Sequence, residues 1–442
     1  MMSSFCKMCR KIRLHWAFLQ KFMLAQNMRV NKMRILWLTD AIADLNRQFD
    51  THNGSGWVGA LADHVKKTSE VSLGICGIGN GEWNRSVNGV SMLPLDVFSS
   101  FKNRLARKLN VRNEEKLLLP GMLKAITDFK PDVIHIWGTE YAYGTICEHT
   151  DVPCILHIQG ILTPYCNAKF PPGFEKSQFW KAEWCHPSKI YRIISFDNVM
   201  SARAERERRI LKTCKNYLGR TDWDKSIVSL YHPEANYFYD SEMLRETFME
   251  HAGQWKPHER KKKTLISVIS MPYYKGHDLI LKTAKLLSEH SSADFTWKVF
   301  GVHSMKFWER SLKISAKDVH VELCGTASAE NLKDELLNAD VFVHPSYIDN
   351  SPNSLCEAQL LGLPVVATAV GGVPSLVKDK ETGFLVSAND PFMMAERVIE
   401  ILKDSLLAEK LGRNASQCAS ERHDPKIVVE DLLSAYREIV RT

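Results

Sequence analysis

Short apolar runs alternating with amphipathic stretches set the rhythm of this chain from residue 34 onward. "RILWLTD" (34–40) is an apolar run ending in polar residues, the pattern of a buried parallel strand. "HNGSGWVGALADHVKK" follows, a Gly-Ser-Gly turn leading into a helix with Trp57, Leu61 and Val65 on one face. Further strands are predicted at "VSLGICG" (71–77), "VIHIWG" (133–138), "CILHIQG" (154–160), "IISF" (193–196) and "NYLG" (216–219). Around 234–263 the rhythm stops in an aromatic and polar stretch ending in a basic run, which reads as a connection. It resumes with strands at "TLISVIS", "FTWKVFG", "VHVELCG", "DVFVHPS", "PVVAT" and "GFLVS", separated by helices, and closes on the amphipathic "PKIVVEDLLSAYREIV". Strands alternating with helices predict α/β layering, here two doubly wound Rossmann-like sheets facing across a cleft. The expected units are a basic extension at 1–32, a first domain at 33–233 and a connection at 234–263. A second domain at 264–424 and a closing helix at 425–442 follow.

The chain has 442 residues, long enough for two large domains. Its net charge of +7 suggests nucleic acid until it is located. Residues 1–34 hold eight Lys and Arg and no acid, a charge of +8, so the remainder carries 7 − 8 = −1. The body is not basic, and a nucleic-acid partner is not expected. The tail also has Ile12, Trp16, Leu19 and Met23 at helical spacing, so it suits peripheral contact with the anionic inner face of a membrane. The competing reading is a start at Met28 or Met33. The uncharged run from Ala358 to Val377 is broken by prolines and glycines and does not read as a membrane span. Eleven scattered cysteines, mostly in apolar segments, fit reduced thiols and a cytoplasmic location. Cys6 and Cys9 form a lone C-x-x-C without a second pair, and no metal-ligand cluster is read elsewhere.

The candidate chemistry sits at "SYIDNSPNSLCEAQLLGLPVV" (346–366). A polar loop there separates a strand from a helix, and Asp349 and Glu357 stand eight positions apart with no Lys or Arg nearby in sequence. Pro352 suits the first turn of the helix after the loop, and Pro374 the next one, so two helix N-termini are expected at one sheet edge, attractive to a phosphate. Carboxylates accept hydrogen bonds and suit sugar hydroxyls. Two plainer readings stand beside this: Ser354-Leu-Cys-Glu357 fits a capping box, and Asp349 fits an ordinary turn.

This stretch resembles the nucleotide-sugar signature of retaining GT-B glycosyltransferases of family 4. It stands here as Asp349-x7-Glu357, then "EAQLLGLPVVAT" and "VGGVPSLV", and the resemblance runs from "RILWLTD" to the closing helix. It implies a metal-independent hexosyltransferase of surface-polysaccharide biosynthesis type. Such an enzyme needs no cofactor beyond its donor, a nucleotide-diphosphate sugar, and its acceptor is a glycan or lipid-linked saccharide. The donor's own diphosphate is thought to help deprotonate that acceptor. By the same resemblance, Glu357 binds the ribose, Asp349 the donor sugar, and Lys275 of "YYKGHDLIL" the diphosphate. Asn353, Ser354, Gly371 and Gly372 contact sugar and diphosphate, the base lies by Glu322 to Gly325, and Gly54, Ser55 and Gly56 face the donor across the cleft. The sequence departs from the family pattern in three ways: Asp349 replaces a glutamate, the arginine before the lysine is missing, and "HIQG" replaces a His-Gly. Arg220 is the candidate substitute for the arginine, and His157 or Gln159 for the sugar-facing histidine. The alternatives are a nucleotide-sugar 2-epimerase of the same architecture or a non-catalytic nucleotide-sugar-binding protein.

Overall fold

The computed structural model describes residues 32–40, 56–182 and 187–441. The basic tail through residue 31, Cys6, Cys9, Gly54 and Ser55 lie outside the described residues.

Two sheets are built. The first has eight strands: β1 (Met33–Leu38), β2 (Val71–Ile78), β3 (Arg85–Val87), β4 (Val90–Leu95), β5 (Val133–Trp137), β6 (Cys154–His157), β7 (Asn216–Gly219) and β8 (Asn236–Tyr239). Their spatial order is β3-β4-β2-β1-β5-β6-β7-β8, parallel throughout except for the antiparallel β3–β4 pair. The second has six parallel strands: β9 (Lys263–Val268), β10 (Phe295–Phe300), β11 (Val321–Gly325), β12 (Val341–His344), β13 (Val365–Thr368) and β14 (Phe384–Val386). Its order, β11-β10-β9-β12-β13-β14, is the doubly wound 3-2-1-4-5-6 pattern, with its reversal between β9 and β12. Ligands in such sheets bind at the carboxyl ends beside that reversal.

Burial explains the apolar runs. Ile35, Leu36, Trp37 and Leu38 of β1 are all fully buried, because helices cover both faces of the first sheet. One cover is the closing helix Pro425–Arg441, which leaves the second body and lays Val428, Leu432, Tyr436 and Ile439 against β1 and β2 of the first. Its Tyr436 hydroxyl accepts from Trp37 Nε1 at 3.1 Å and meets His135 Nδ1 at 2.5 Å. The closing helix thereby becomes part of the first body.

Three elements differ from expectation. "IISF" is not a strand: Ile193–Phe196 lies inside the helix Pro187–Thr213. A four-residue apolar run has the same look in either element, and the long run of Arg, Glu and Ala after it continues the helix. The expected connection contributes β8, which pairs with β7, and a short helix at Glu246–Met249. The β3–β4 hairpin was not anticipated although "VNGV" spells its turn, with Asn88 and Gly89 both at positive φ (50° and 83°). Among the described residues no helix is long and apolar enough to cross a membrane.

Candidate functional site

The turn after β9 carries Tyr273, Tyr274 and Lys275, and Gly276 (φ 80°) starts the helix His277–His290. A Cβ on Gly276 would overlap the Pro345 carbonyl, so the glycine lets this turn sit directly on the loop that leaves β12. Tyr347 N–H donates to the Tyr274 carbonyl at 2.7 Å and fastens the two loops together. Lys275 Nζ then reaches Asp349 Oδ2 at 2.7 Å. Ser346 Oγ donates to the same oxygen at 3.2 Å, and His344 Nε2 lies 3.2 Å from it. Burial pushes the Asp349 carboxyl up, but Lys275 and His344 outweigh it and hold the group well below the usual carboxylate range. Asp349 is therefore an anion at any physiological pH, beside the reversal of strand order.

Glu357 is one turn into the helix Asn353–Leu361, which Gly362 (φ 92°) ends. Pro352 is its N-cap residue, so Ser354 lies within the helix and the capping-box reading fails. The Glu357 oxygens instead accept from Arg245 Nε and Nη2, both at 2.7 Å, in a fork-to-fork pair. Burial raises the Glu357 carboxyl and Arg245 opposes that rise. Sequence reading missed Arg245 because it lies 112 positions away, in the segment taken for a connection. The available signal was physical: a carboxylate placed on an otherwise apolar helix requires a cation from elsewhere. The same holds for Asp349 and Lys275.

Gly371 (φ 52°) and Gly372 were expected to admit a ligand. In this structure they admit another loop: Cβ atoms there would overlap the main-chain oxygens of Asp349 and Asn350, and Gly372 N–H donates to Asp349 O at 3.0 Å. The loop 349–351 also crosses to the first body. Asn350 Oδ1 accepts from Thr221 Oγ1 at 2.7 Å, and its Nδ2 donates to Asp224 Oδ2 at 3.0 Å and to Gln159 O at 3.3 Å. Ser351 Oγ donates to Glu242 Oε1 at 2.5 Å. Arg220 is buried on the same seam, donating to Gln159 O at 2.7 Å and lying 3.4 Å from Glu242 Oε2. Its charge is thus engaged by Glu242.

His157 has no exposed surface. Its ring stacks on Trp137 (4.9 Å between centroids) and His135 (5.3 Å), and burial drives both histidines well below their ordinary pKa. Glu322 is exposed on β11, the edge strand three places from β12. Gly56 opens the helix Gly56–Val65, and Asn353 and Ser354 occupy the first turn of theirs. The first amides of a helix lack intrahelical partners, so that turn offers donors next to Asp349.

Among the described residues two clusters have metal-ligand chemistry. Glu242, Cys356 and His423 bring one ligand atom each within 4.8 Å of one another. Those atoms are committed already: Cys356 Sγ donates to Glu242 Oε1 (3.3 Å), His423 Nδ1 bonds Glu242 O (2.8 Å), and Arg220 stands beside the carboxylate. A guanidinium in contact opposes a cation, and the trio is a buried hydrogen-bonded knot. Glu115, Glu148 and His149 form the other, and Arg209 already bridges its two carboxylates at 2.6 and 2.8 Å.

Comparison with known proteins agrees with this architecture. Residues 252–417, within the second body and its approach, match the family "Glycosyl transferases group 1". The chain is similar to the putative colanic acid biosynthesis glycosyltransferase WcaL of Escherichia coli K12, 32% identical over 145 residues (30% of this chain, 34% of WcaL). It is also similar to the capsular polysaccharide biosynthesis glycosyltransferase CapM of Staphylococcus aureus, 33% identical over 104 residues (24% of this chain, 27% of CapM). The matches thus span about a third or less of these curated relatives. Among solved structures, sucrose-phosphate synthase from Thermosynechococcus elongatus superposes with a TM-score of 0.68 at 13% identity, covering 92% of this chain and 99% of that one. Anabaena Alr3699/HepE, solved with UDP and glucose, superposes at 0.58 and 14% identity, covering 92% and 100%. The fold is GT-B, two Rossmann-like bodies in one chain.

Proposed function

We propose that this protein is a retaining hexosyltransferase. It moves a sugar from a nucleotide-diphosphate sugar to a hydroxyl of a glycan or lipid-linked saccharide. The observation that carries the reading is the ion pair between half-buried Lys275 and buried Asp349 at the strand-order reversal of the sheet that matches the group 1 glycosyltransferase family. The names of WcaL and CapM support a polysaccharide acceptor, and the UDP and glucose bound to HepE support the donor class.

The chemical demand of such a reaction is to stabilise negative charge on the departing diphosphate and positive charge on the sugar ring. Lys275 answers the first demand. Its ammonium already sits 2.7 Å from a fixed anion, so it is oriented before the donor arrives. The first-turn amides of Asn353 and Ser354 add donors beside it. Asp349, kept ionised, accepts from sugar hydroxyls, and Glu357, held flat by Arg245, accepts from the ribose pair. Gly371 and Gly372 hold the loop that carries Asp349. The base rests along the segment ending at Gly325, near Glu322. Gly56, His157, Gln159 and Arg220 form or support the first body's wall of the cleft.

The test has two stages. The protein is screened by thermal shift against UDP-, GDP-, ADP- and dTDP-sugars, since a ligand that binds only the folded state raises its melting temperature. The nucleotide sugar that binds is then offered with a panel of saccharide acceptors. Lys275→Ala is expected to lower turnover by at least about two orders of magnitude, the scale for removing one charge stabiliser. Turnover near wild type in that variant refutes the assignment.

A further inference from the structure

The helix Phe101–Leu109 lies on the first body with its polarity reversed. A surface helix ordinarily turns its apolar stripe to the core and its charges to water. Here the side that is fastened is polar. Asn103 Nδ2 donates to Val97 O at 2.8 Å, and Asn113 Nδ2 donates to Ala106 O at 3.0 Å. Arg107 pairs with buried Glu114 at 2.9 Å and lies over the Phe98 ring, 4.6 Å from its centroid. Positions 103, 106 and 107 share one side at helical spacing. The apolar residues point the other way: Phe101 is 73% exposed, and Leu105, one turn on, is 43% exposed. Lys102 and Arg104 are exposed too. At about 100° per residue they stand on the two flanks of the Phe101–Leu105 stripe.

These cations belong to a local excess. Between Asp96 and Glu114 the chain carries Lys102, Arg104, Arg107, Lys108 and Arg112 and no acid, whereas residues 35–442 together sum to −1. Arg107 and Arg112 are spent on Glu114 and Glu205, at 2.9 and 2.5 Å. Lys102 and Arg104 are turned to solvent. The helix follows β4, which runs parallel to β2 as β2 does to β1. It therefore starts at the carboxyl edge of the first sheet, the edge on which such sheets bind ligands. An apolar stripe with a cation on each flank fits a bilayer surface: Phe101 and Leu105 enter the acyl boundary while the cations meet anionic headgroups. A nucleic acid takes the cations and leaves Phe101 in water. An apolar protein face takes Phe101 and strands the cations.

We propose that the helix Phe101–Leu109 docks this protein on an anionic lipid bilayer, lying in the interface with Phe101 and Leu105 inserted. The docking stands without the transferase reading. Its consequence rests on that reading: the ligand-binding edge of the first body is held at the surface where a lipid-linked saccharide is presented.

The full chain is sedimented with vesicles of phosphatidylcholine alone and of phosphatidylcholine with about one-third phosphatidylglycerol. Wild type is expected to bind the anionic vesicles only, and to be released as salt rises from about 0.05 to 0.5 M. The double variant Phe101→Ser, Leu105→Ser should lower partition at least about tenfold. The double variant Lys102→Gln, Arg104→Gln should lower it about 25-fold, at about fivefold for each cation. Both variants should melt with wild type, because the four side chains are exposed. Wild type that stays in the supernatant with both vesicles overturns the proposal. Variants that sediment like wild type also overturn it and assign the binding to another part of the chain, the basic tail first. A variant that melts below wild type overturns it as well, because the face then packs against this chain or a second copy. No nucleotide sugar is present, so failure of the transferase reading leaves each of these outcomes unchanged.

Discussion

Removing Arg245 tests the idea that Glu357 is a held anion rather than a capping residue. The Glu357 side chain is 3% exposed and receives two charge-assisted hydrogen bonds of 2.7 Å from Arg245, which is itself 33% exposed. Truncating one partner of a buried pair costs about 3–5 kcal/mol, because the remaining charge is stranded. Water reaching the arginine side lowers that figure, so Arg245→Ala is expected to cost about 2–3 kcal/mol at pH 8. For a body of this size that is a fall of roughly 5–10 °C in melting temperature. The pH dependence has a definite sign. The folded-state pKa of Glu357 is raised by burial, so the folded protein binds a proton more readily than the unfolded chain, and stability falls as pH climbs from the ordinary carboxylate value through the folded one. Without Arg245 that pKa rises further, which widens the window. The variant's deficit should therefore be largest at pH 8 and shrink towards pH 5, where a neutral glutamic acid needs no cation. Paired thermal scans of wild type and variant across pH 5–8 measure it. A deficit below about 0.5 kcal/mol, the scale of an ordinary surface substitution, or one that grows in acid, refutes the reasoning.

Three further outcomes follow from the geometry. Gly371→Ala puts a Cβ into the Asp349 carbonyl at φ 52°, so the loop shifts and donor-dependent nucleotide release should fall about 10²-fold, the cost of a misplacement near 1 Å. Tyr436→Phe strands Trp37 Nε1 and His135 Nδ1 in the core and should cost about 2–6 kcal/mol by urea unfolding, at about 1–3 for each buried group left unpaired. Asn350→Ala removes three hydrogen bonds between the bodies, and small-angle scattering should show a larger radius of gyration than wild type.

Where local chemistry decides structure, the sequence was readable. Apolar runs of four to six residues marked most parallel strands because both sheet faces are covered. Where a partner comes from far along the chain, it was not. Arg245 has no pattern linking it to Glu357, which lies 112 positions away. "IISF" failed for the opposite reason: its local pattern suits two elements, and the flanking helix decided between them. The β3–β4 hairpin was legible through Asn88-Gly89 and was overlooked, because attention to βαβ alternation passes over an edge hairpin.

The loop Asp349-Asn350-Ser351 gives each consecutive side chain a different duty. Asp349 faces Lys275 within the second body, Asn350 bonds Thr221, Asp224 and Gln159 of the first, and Ser351 bonds Glu242 on the strand-to-helix link between them. Position along one rigid loop thereby couples the charge at the donor shelf to the seam between the bodies. A diphosphate that draws Lys275 from Asp349 pulls on a loop whose next residue holds the first body. Separating the bodies, in turn, moves Asp349 against Gly371 and Gly372, where no side-chain slack exists to absorb it. On the proposed function, donor binding and body closure are expected to form one equilibrium that Asn350→Ala should uncouple. In wild type the nucleotide sugar that binds should reduce the radius of gyration; in the variant it should still bind, with lower affinity and no compaction. Equal compaction in both proteins would show that the loop carries no such coupling.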